Sequence, residues 1–472
     1  MKMKIKFCGA ARTVTGSCHL LTLSDRHAIL MDAGLYQGRE EKFIDFNSAW
    51  LFEPSTINCL ILSHAHIDHS GRIPKLVKDG FNGEIICTSA TRDLTAVMLM
   101  DSAKIQERDA YFINKQKRKK GLKEDSAPLY TINDVSNCMQ YFVGISYDTW
   151  RRISDNVSVL LRDSGHIFGS ASVTLKIDEI GQEPIFVGFS GDIGRPNRPI
   201  LRDPVSMQNL DYLICESTYG GVVHDNFPND QETLLRIIKE TCINKDGKLI
   251  IPASSVGPTQ EVVYTLDKLQ TENRLPKIPV FVDSPMAINA TEVFKLHPEC
   301  FDSEIMEYVI NDPNPFGFNN LKYIRDRQES KQLNDFKGPA IIISAAGMMT
   351  GGRILHHLLN HIEDSINTVL IVGYCANHTL GARLREGEKR VQIFGIEKEV
   401  KARIEIMDSF SAHADEPEII DYLSNLDKNK LNNIFLVHGE LDRQYKLKSA
   451  LEREGFNNIE IPAFGNERVL RH

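Results

Sequence analysis

The chain has 472 residues, a formal net charge of −8 at pH 7, 42% hydrophobic and 25% charged residues. That size accommodates two or more domains with sizeable cores, since domains usually run to about 100–200 residues, and the composition is that of a soluble globular protein. No apolar stretch approaches the roughly 20 residues that span a bilayer, and the first residues lack the apolar core of a signal peptide, so a cytoplasmic protein with no membrane partner is expected. Nine cysteines with no Cys-x-x-Cys pair among them fit reduced thiols in cores rather than metal ligands. The negative charge does not exclude a nucleic-acid partner, because a polyanion responds to a local groove and bound dications add positive charge where substrate sits.

In chain order, the strand-like run 28–31 ends on Asp32, followed by Ala33-Gly34. A carboxylate there suits orienting a ligand imidazole better than direct ligation. Residues 57–62 are a short apolar run of strand length, and 70–78 start a helix by apolar spacing. Between them, Ser63-His-Ala-His-Ile-Asp-His69 sets His64, His66, Asp68 and His69 in a strand-to-helix loop. His64 and His66, two apart, can project the same way from extended backbone. Asp68 and His69 follow at the turn and can face a second metal. Neutral imidazoles and carboxylates are ligands that Zn²⁺ accepts, so the loop reads as the floor of a two-metal hydrolase site. The basic run 115–123 is a candidate substrate contact, although such runs are more often solvated loops.

Three further ligand candidates each follow a strand-like run and are framed by glycine: His166 after 157–161, Asp192 after 185–188, and His438 after 434–437. Short buried strands are also read at 211–215, 248–252, 279–282 and 340–344, with helices at 259–270 and 288–297. That alternation implies a largely parallel sheet with right-handed crossovers. Ser344, Gly347 and Thr350-Gly-Gly-Arg353 are candidates for phosphate contact through backbone amides and a guanidinium, the plain alternative being a tight turn before a helix. His356 and His357 are read as structural.

The order Asp32, His64-x-His66-x-Asp68-His69, His166, Asp192 resembles the successive motifs of the metallo-β-lactamase superfamily. The rest is similar to its β-CASP nucleases. Leu213-Ile-Cys-Glu216 through Gly220 resembles motif A with Glu216 as its acid, Ser409 through Asp415 resembles motif B with His413, and Val437-His438-Gly439 resembles motif C. Flanking signatures at 9–17, 282–287 and 347–357 extend the likeness. The fold implied is α/β: an αββα sandwich, residues 1–220 and 396–472, with an inserted α/β domain at 221–395 that contains the largely parallel sheet. The insertion is expected to begin after the Glu216 strand and return near residue 395, with the strands from 211–215 onward counted in it, and substrate is expected in the cleft between the domains.

By the resemblance, His64, His66 and His166 hold one zinc, Asp68, His69 and His438 the other, and Asp192 bridges both, with manganese as the alternative metal. Paired dications acidify a water and take up phosphoryl charge. The catalytic residues implied are Asp68, which could also accept a proton, His413, which assists the leaving oxygen or binds phosphate, Glu216, which orients His413, and Asp32. Ser344, Gly347, Arg353, Ser411 and His413 are the substrate-binding candidates. A histidine at motif C accompanies RNA-cleaving members, whereas DNA-repair members typically carry valine, so single-stranded RNA is the expected substrate, cut to 5′-phosphate and 3′-hydroxyl ends. The likeness is to the compact bacterial endoribonucleases related to the eukaryotic cleavage and polyadenylation nuclease. Many relatives add 5′-to-3′ exonuclease action, and a homodimer is common in the branch.

Two departures bear on substrate: Pro258 stands where relatives carry arginine, and Asn377-His378 stands where many have a smaller pair. The rival readings are a superfamily hydrolase of a small ester or thioester, against which motifs A to C speak, and a non-catalytic RNA-binding partner, in which several ligand positions would be lost. Every position is filled here.

Overall fold

The computed structural model describes residues 2–37, 46–178, 181–224, 230–373, 375, 379–407 and 411–470. The strands, in chain order, are β1 Lys4–Phe7, β2 His19–Thr22, β3 Ala28–Met31, β4 Cys59–Ile61, β5 Glu84–Thr88, β6 Phe142–Ile145, β7 Arg151–Ser154, β8 Val157–Asp163, β9 Ala171–Ile177, β10 Ile185–Phe189 and β11 Tyr212–Glu216. They continue with β12 Lys248–Pro252, β13 Val280–Asp283, β14 Leu321–Tyr323, β15 Ala340–Ser344, β16 Thr368–Val372, β17 Arg390–Ile393, β18 Ile396–Glu399 and β19 Arg403–Met407. The last three are β20 Asn433–Val437, β21 Ile459–Glu460 and β22 Glu467–Val469. The chain forms two compact units: Met1–Pro196, Asp203–Val223 and His413–His472 make the first, and Asn197–Arg202 with His224–Ala412 the second.

In the first unit, the described residues form two seven-stranded sheets, ordered β22-β1-β2-β3-β4-β5-β6 and β21-β20-β11-β10-β9-β8-β7. The alternate side chains of each sheet meet in one core: Phe7, Ile29 and Ile61 from the first lie with Val159, Val173, Phe189, Ile214 and Phe435 from the second. The opposite faces are closed by helices. Leu60 and Ile85 pack with Leu99 and Val135 outside the first sheet, and Leu213 and Leu436 with Ile419, Leu447 and Leu451 outside the second. This is the expected αββα sandwich. The neighbours β3-β4-β5 and β10-β11-β20 run parallel, and their continuous apolar sequences reflect burial on both faces.

The helical start expected at 70–78 divides into α1 Ile67–Ser70 and α2 Ile73–Lys78. The Arg72 amide leaves the helical ladder to donate to Ala33 O at 2.8 Å, and Pro74 opens the second piece. A 31-residue helix, α3, spans Ser89–Lys119. Its C-terminal end takes up the first half of the basic run, so the run is helix as much as loop.

The second unit contains a six-stranded sheet, β14-β13-β15-β12-β16-β19, in which all neighbouring strands run parallel. The expected largely parallel sheet is therefore present, together with an antiparallel β17–β18 hairpin. Two placements differ from expectation. The 211–215 strand lies in the sandwich as β11, between β10 and β20, because its partner comes from more than 200 residues later in the chain. The chain rejoins the first unit at His413 rather than near residue 395, since β19 pairs along β16. Within this unit Asp283 is a buried hub: its carboxylate accepts from Arg353 Nη1 (2.6 Å), Ser330 Oγ (2.6 Å) and His357 Nε2 (2.8 Å), and its carbonyl accepts from Ser344 Oγ (3.0 Å).

Candidate metal centre

The loops that leave the C-terminal ends of β3, β4, β8, β10, β11 and β20 carry, in turn, Asp32, His64 to His69, His166, Asp192, the segment after Glu216, and His438. Strands of common direction thus deliver these side chains to one edge of the sandwich. The backbone there is tightly specified. Ser17 N donates to Asp68 O, Ala33 N to His69 O, and His438 N to Ala10 O, each at 2.7–2.8 Å, so the glycine-rich segment 9–17 wraps beneath the site. A Cβ on Gly34 would fall 1.6 Å from Asp68 O, which only glycine avoids. Asp32 and His438 hold φ of +59° and +50°, uncommon for residues other than glycine.

Two sets of ligand atoms converge. His64 Nε2 and His166 Nε2 each lie 3.1 Å from His66 Nδ1. His69 Nε2 lies 3.1 Å from His438 Nε2, which is 3.4 Å from Asp68 Oδ2. Asp192 stands between them, its Oδ2 at 3.5, 3.4 and 3.3 Å from His64, His166 and His69, and its Oδ1 3.5 Å from His438 Nδ1. Ligands bound to Zn²⁺ at about 2.0–2.1 Å in a tetrahedron lie ~3.3 Å apart, and the spacings found here match. The groups His64-His66-His166-Asp192 and Asp68-His69-His438 can each hold a metal ion, with ligand atoms all within 4.8 Å of one another. Separations near 3 Å between buried imidazole nitrogens and carboxylate oxygens are what a cation would relieve.

Charge in the ligand set follows from burial and proximity. Burial drives His66 down to about 4 and holds His64 and His166 well below the usual imidazole range, so these rings are neutral and ready to donate lone pairs. Burial opposes ionisation of Asp68, yet the His438 hydrogen bond and His69 hold it at about 2. His69 goes the other way: burial disfavours its charge, but Asp192 and Asp32 raise it well above the usual range.

Outer contacts set four of the rings, those of His64, His69, His413 and His438. His69 Nδ1 lies 2.6 Å from Asp32 Oδ2, which fixes its proton there and turns Nε2 inward. Asp32 is fully buried and also accepts from Ser63 N (2.8 Å), Ser63 Oγ (3.0 Å) and Ser17 Oγ (3.1 Å). Ser63 Oγ is 3.0 Å from His64 Nδ1, and Thr218 Oγ1 is 3.1 Å from His438 Nδ1. His413 Nδ1 lies 3.1 Å from Glu216 Oε1, leaving Nε2 3.9 Å from Asp192 Oδ2. Glu216 is itself held by Ile193 N (2.7 Å) and Thr218 N (3.1 Å). Burial alone would lower His413, but Glu216 and Asp192 hold it up at about 9.

The structure therefore brings together Asp32, His64, His66, Asp68, His69, His166, Asp192, Glu216, His413 and His438. The positioning roles of Ser17, Ser63 and Thr218 were not assigned from sequence, although each lies inside a motif that was. His19 was missed: its ring is buried between Phe7 and Phe189 behind His69 and His438, and burial pushes it down to about 3. Nothing in the short strand His19–Thr22 marks it. In the second unit, Ser344 and Arg353 bond to Asp283, and Gly347 lies where a Cβ would come within 3.1 Å of Ser254 N. Ser411 is buried. Pro258 begins the helix Pro258–Thr271, a position suited to its missing N–H. Asn377 and His378 lie outside the described residues.

Family profiles match in three places: the metallo-beta-lactamase superfamily at residues 11–134, the Beta-Casp domain at 259–384, and the Zn-dependent metallo-hydrolase RNA specificity domain at 397–462. The chain is 31% identical over 463 residues to Ribonuclease TTHA0252 of Thermus thermophilus, which covers 98% of this chain and 99% of that one. It is 30% identical over 448 residues to the transcription termination factor FttA of Methanocaldococcus jannaschii, covering 93% and 67% respectively. A crystal structure of a protein of unknown function from Enterococcus faecalis V583 shares the fold over 100% of both chains, with a TM-score of 0.53 at 10% identity. With its two-sheet sandwich, its inserted parallel sheet and these matches along nearly its whole length, the chain belongs to the β-CASP family of the metallo-β-lactamase superfamily.

Proposed function

We propose that the chain is a zinc-dependent ribonuclease that hydrolyses phosphodiester bonds of single-stranded RNA, leaving 5′-phosphate and 3′-hydroxyl ends. It acts endonucleolytically, with 5′-to-3′ exonuclease action as a further capacity. The observation that carries this reading is the pair of ligand clusters sharing Asp192, with His413 beside them. His64, His66 and His166 would hold one zinc and Asp68, His69 and His438 the other, with Asp192 within reach of both sets. Two such dications, when bound, acidify a water near neutral pH and neutralise charge developing on phosphoryl oxygens.

The chain's own residues supply the rest. Glu216 keeps a proton on His413 Nδ1 and aims Nε2 toward Asp192, where the scissile phosphate would sit. A ring whose charge Glu216 favours through its hydrogen bond at Nδ1 can carry the proton that goes to the departing oxygen. Asp68, held at about 2, is a weak base, which favours its ligand role over proton acceptance. Asp32 orients His69 through a hydrogen bond at Nδ1. The filled ligand positions support an enzyme over a silent RNA-binding partner. Nine free, buried cysteines support a reducing, cytoplasmic setting. Among the described residues, no helix is long and apolar enough to cross a membrane.

The test is end-mapping of products from a 5′-labelled single-stranded RNA incubated with wild type, His66→Ala and His413→Ala. Products with 5′-phosphate and 3′-hydroxyl ends, lost in both variants, are expected. Cyclic-phosphate ends would overturn the mechanism, because they require attack by the 2′-hydroxyl.

A further inference from the structure

The helix α3 starts at the metal centre. Its N-cap Thr88 and its Thr91 both donate through Oγ1 to Gly169 O at 2.7 Å, three residues beyond His166. At ~1.5 Å per residue, Phe112 lies about 35 Å along the axis from Ser89. The inner face of this outer end is covered by the returning segment: Asn114 and Ser126 exchange two hydrogen bonds, Gln106 accepts from Leu129 N, and Ser102 meets Tyr130 OH.

The outward face is bare and of mixed character. Tyr111 and Phe112 are 62% and 50% exposed, with their rings edge to face at 5.7 Å. Lys115 follows Tyr111 by four residues and Phe112 by three, and Lys119 follows Lys115 by four, so aromatics and cations share one helical face. Glu124 and Asp125 pair with Arg118 and Lys117. Among the described residues no ion pair engages Lys115, Lys119, Lys120 or Lys123, all of them exposed. This local excess of positive charge stands on a chain whose net charge is −8.

We infer that the outer end of α3, through Tyr111, Phe112, Lys115, Lys119, Lys120 and Lys123, is a second RNA-binding surface that holds single-stranded RNA away from the metal centre. Aromatic faces interleaved with free cations are the combination that single strands use, bases stacking on rings while phosphates meet ammonium groups. Lysine-rich composition is opposite to that of a subunit interface core, where lysine is depleted. The choice of RNA as the polyanion rests on the ribonuclease reading. At ~3.4 Å per nucleotide, about ten nucleotides span the distance from the helix start.

The experiment measures RNA binding by the full-length His413→Ala chain, which retains the metal-ligand set, using fluorescein-labelled polyuridylate roughly 30 nucleotides long over a range of salt. Tyr111→Ala/Phe112→Ala is expected to weaken binding by about tenfold or more. Lys115→Glu/Lys119→Glu is expected to make the slope of log K against log salt shallower by at least ~1.4, two cations at ~0.7 each. Unchanged affinity and slope in both would overturn the proposal. So would a wild-type dimer, seen by light scattering, that Tyr111→Ala/Phe112→Ala dissociates without changing RNA affinity, since the face would then join two copies of the chain. Cleavage by wild type is assayed alongside. If RNA stays intact while these substitutions weaken binding, the ribonuclease reading fails and the surface stands.

Discussion

Asp32 never reaches a ligand position, yet its replacement by asparagine should measurably weaken the metal centre. Its carboxylate accepts four hydrogen bonds: from His69 Nδ1, Ser63 N, Ser63 Oγ and Ser17 Oγ, at 2.6, 2.8, 3.0 and 3.1 Å. Asparagine has the same shape and tolerates the positive φ of +59° as aspartate does, so backbone strain is not added. It has only one acceptor oxygen. Whichever way the amide turns, its NH₂ faces either the Ser63 N–H or the proton on His69 Nδ1, and a buried donor is left without an acceptor at a cost of about 1–3 kcal/mol. The His69 ring also loses the charge that fixes its tautomer, which typically costs 10–100-fold in metal affinity, or about 1.4–2.8 kcal/mol. The assay is competition of Zn²⁺ against a chromophoric chelator at neutral pH, wild type beside Asp32→Asn. The weaker of the two binding steps should fall by about 10–100-fold, with the loss borne by the Asp68-His69-His438 cluster. Affinities within about twofold of wild type for both steps would refute the argument that Asp32 acts through His69.

Other expectations follow from the same geometry. In metal-free protein, His413 should titrate at about 9 by NMR and fall toward its ordinary value in Glu216→Gln, since the carboxylate is what sustains its charge. Because the folded value lies above the unfolded one, the associated stability is complete below about 6.5 and is lost as pH rises through about 9; a denaturation series from pH 6 to 10 on metal-free protein reads this sign. Gly34→Ala should cost about 3 kcal/mol or more, or abolish folding, because its Cβ would lie 1.6 Å from Asp68 O; urea denaturation gives the figure. Arg353→Ala should destabilise the chain by about 3–5 kcal/mol, since it takes one charged partner from the fully buried Asp283; a change in RNA affinity with unaltered stability would instead assign Arg353 to substrate.

The candidate edge can be read in sequence where a site residue follows a short, mostly apolar strand, since such strands announce their ends. Ala28–Met31, Ile185–Phe189 and Asn433–Val437 all end within three residues of Asp32, Asp192 or His438. What sequence could not give was pairing at long range. The strand Tyr212–Glu216 looks the same whether it enters the inserted sheet or the sandwich, and only its register with Asn433–Val437 decides. The hydroxyls of Ser17, Ser63 and Thr218 were similarly silent, because a serine in a loop carries no mark of the imidazole it will orient. His19 was hidden by its strand. The basic run, a candidate substrate contact or a solvated loop by sequence, is carried for half its length by a helix of 31 residues.

Two metals held by these seven residues and used to cut RNA are the core of the proposed function. Protein stripped with chelator and titrated with Zn²⁺ against a single-stranded RNA tests this most directly, with bound metal counted at each step. Cleavage should emerge as the second equivalent binds and saturate at two metals per chain, with His66→Ala failing to reach that state. RNA left intact at two bound metals, or full cleavage with the metal removed, would contradict it.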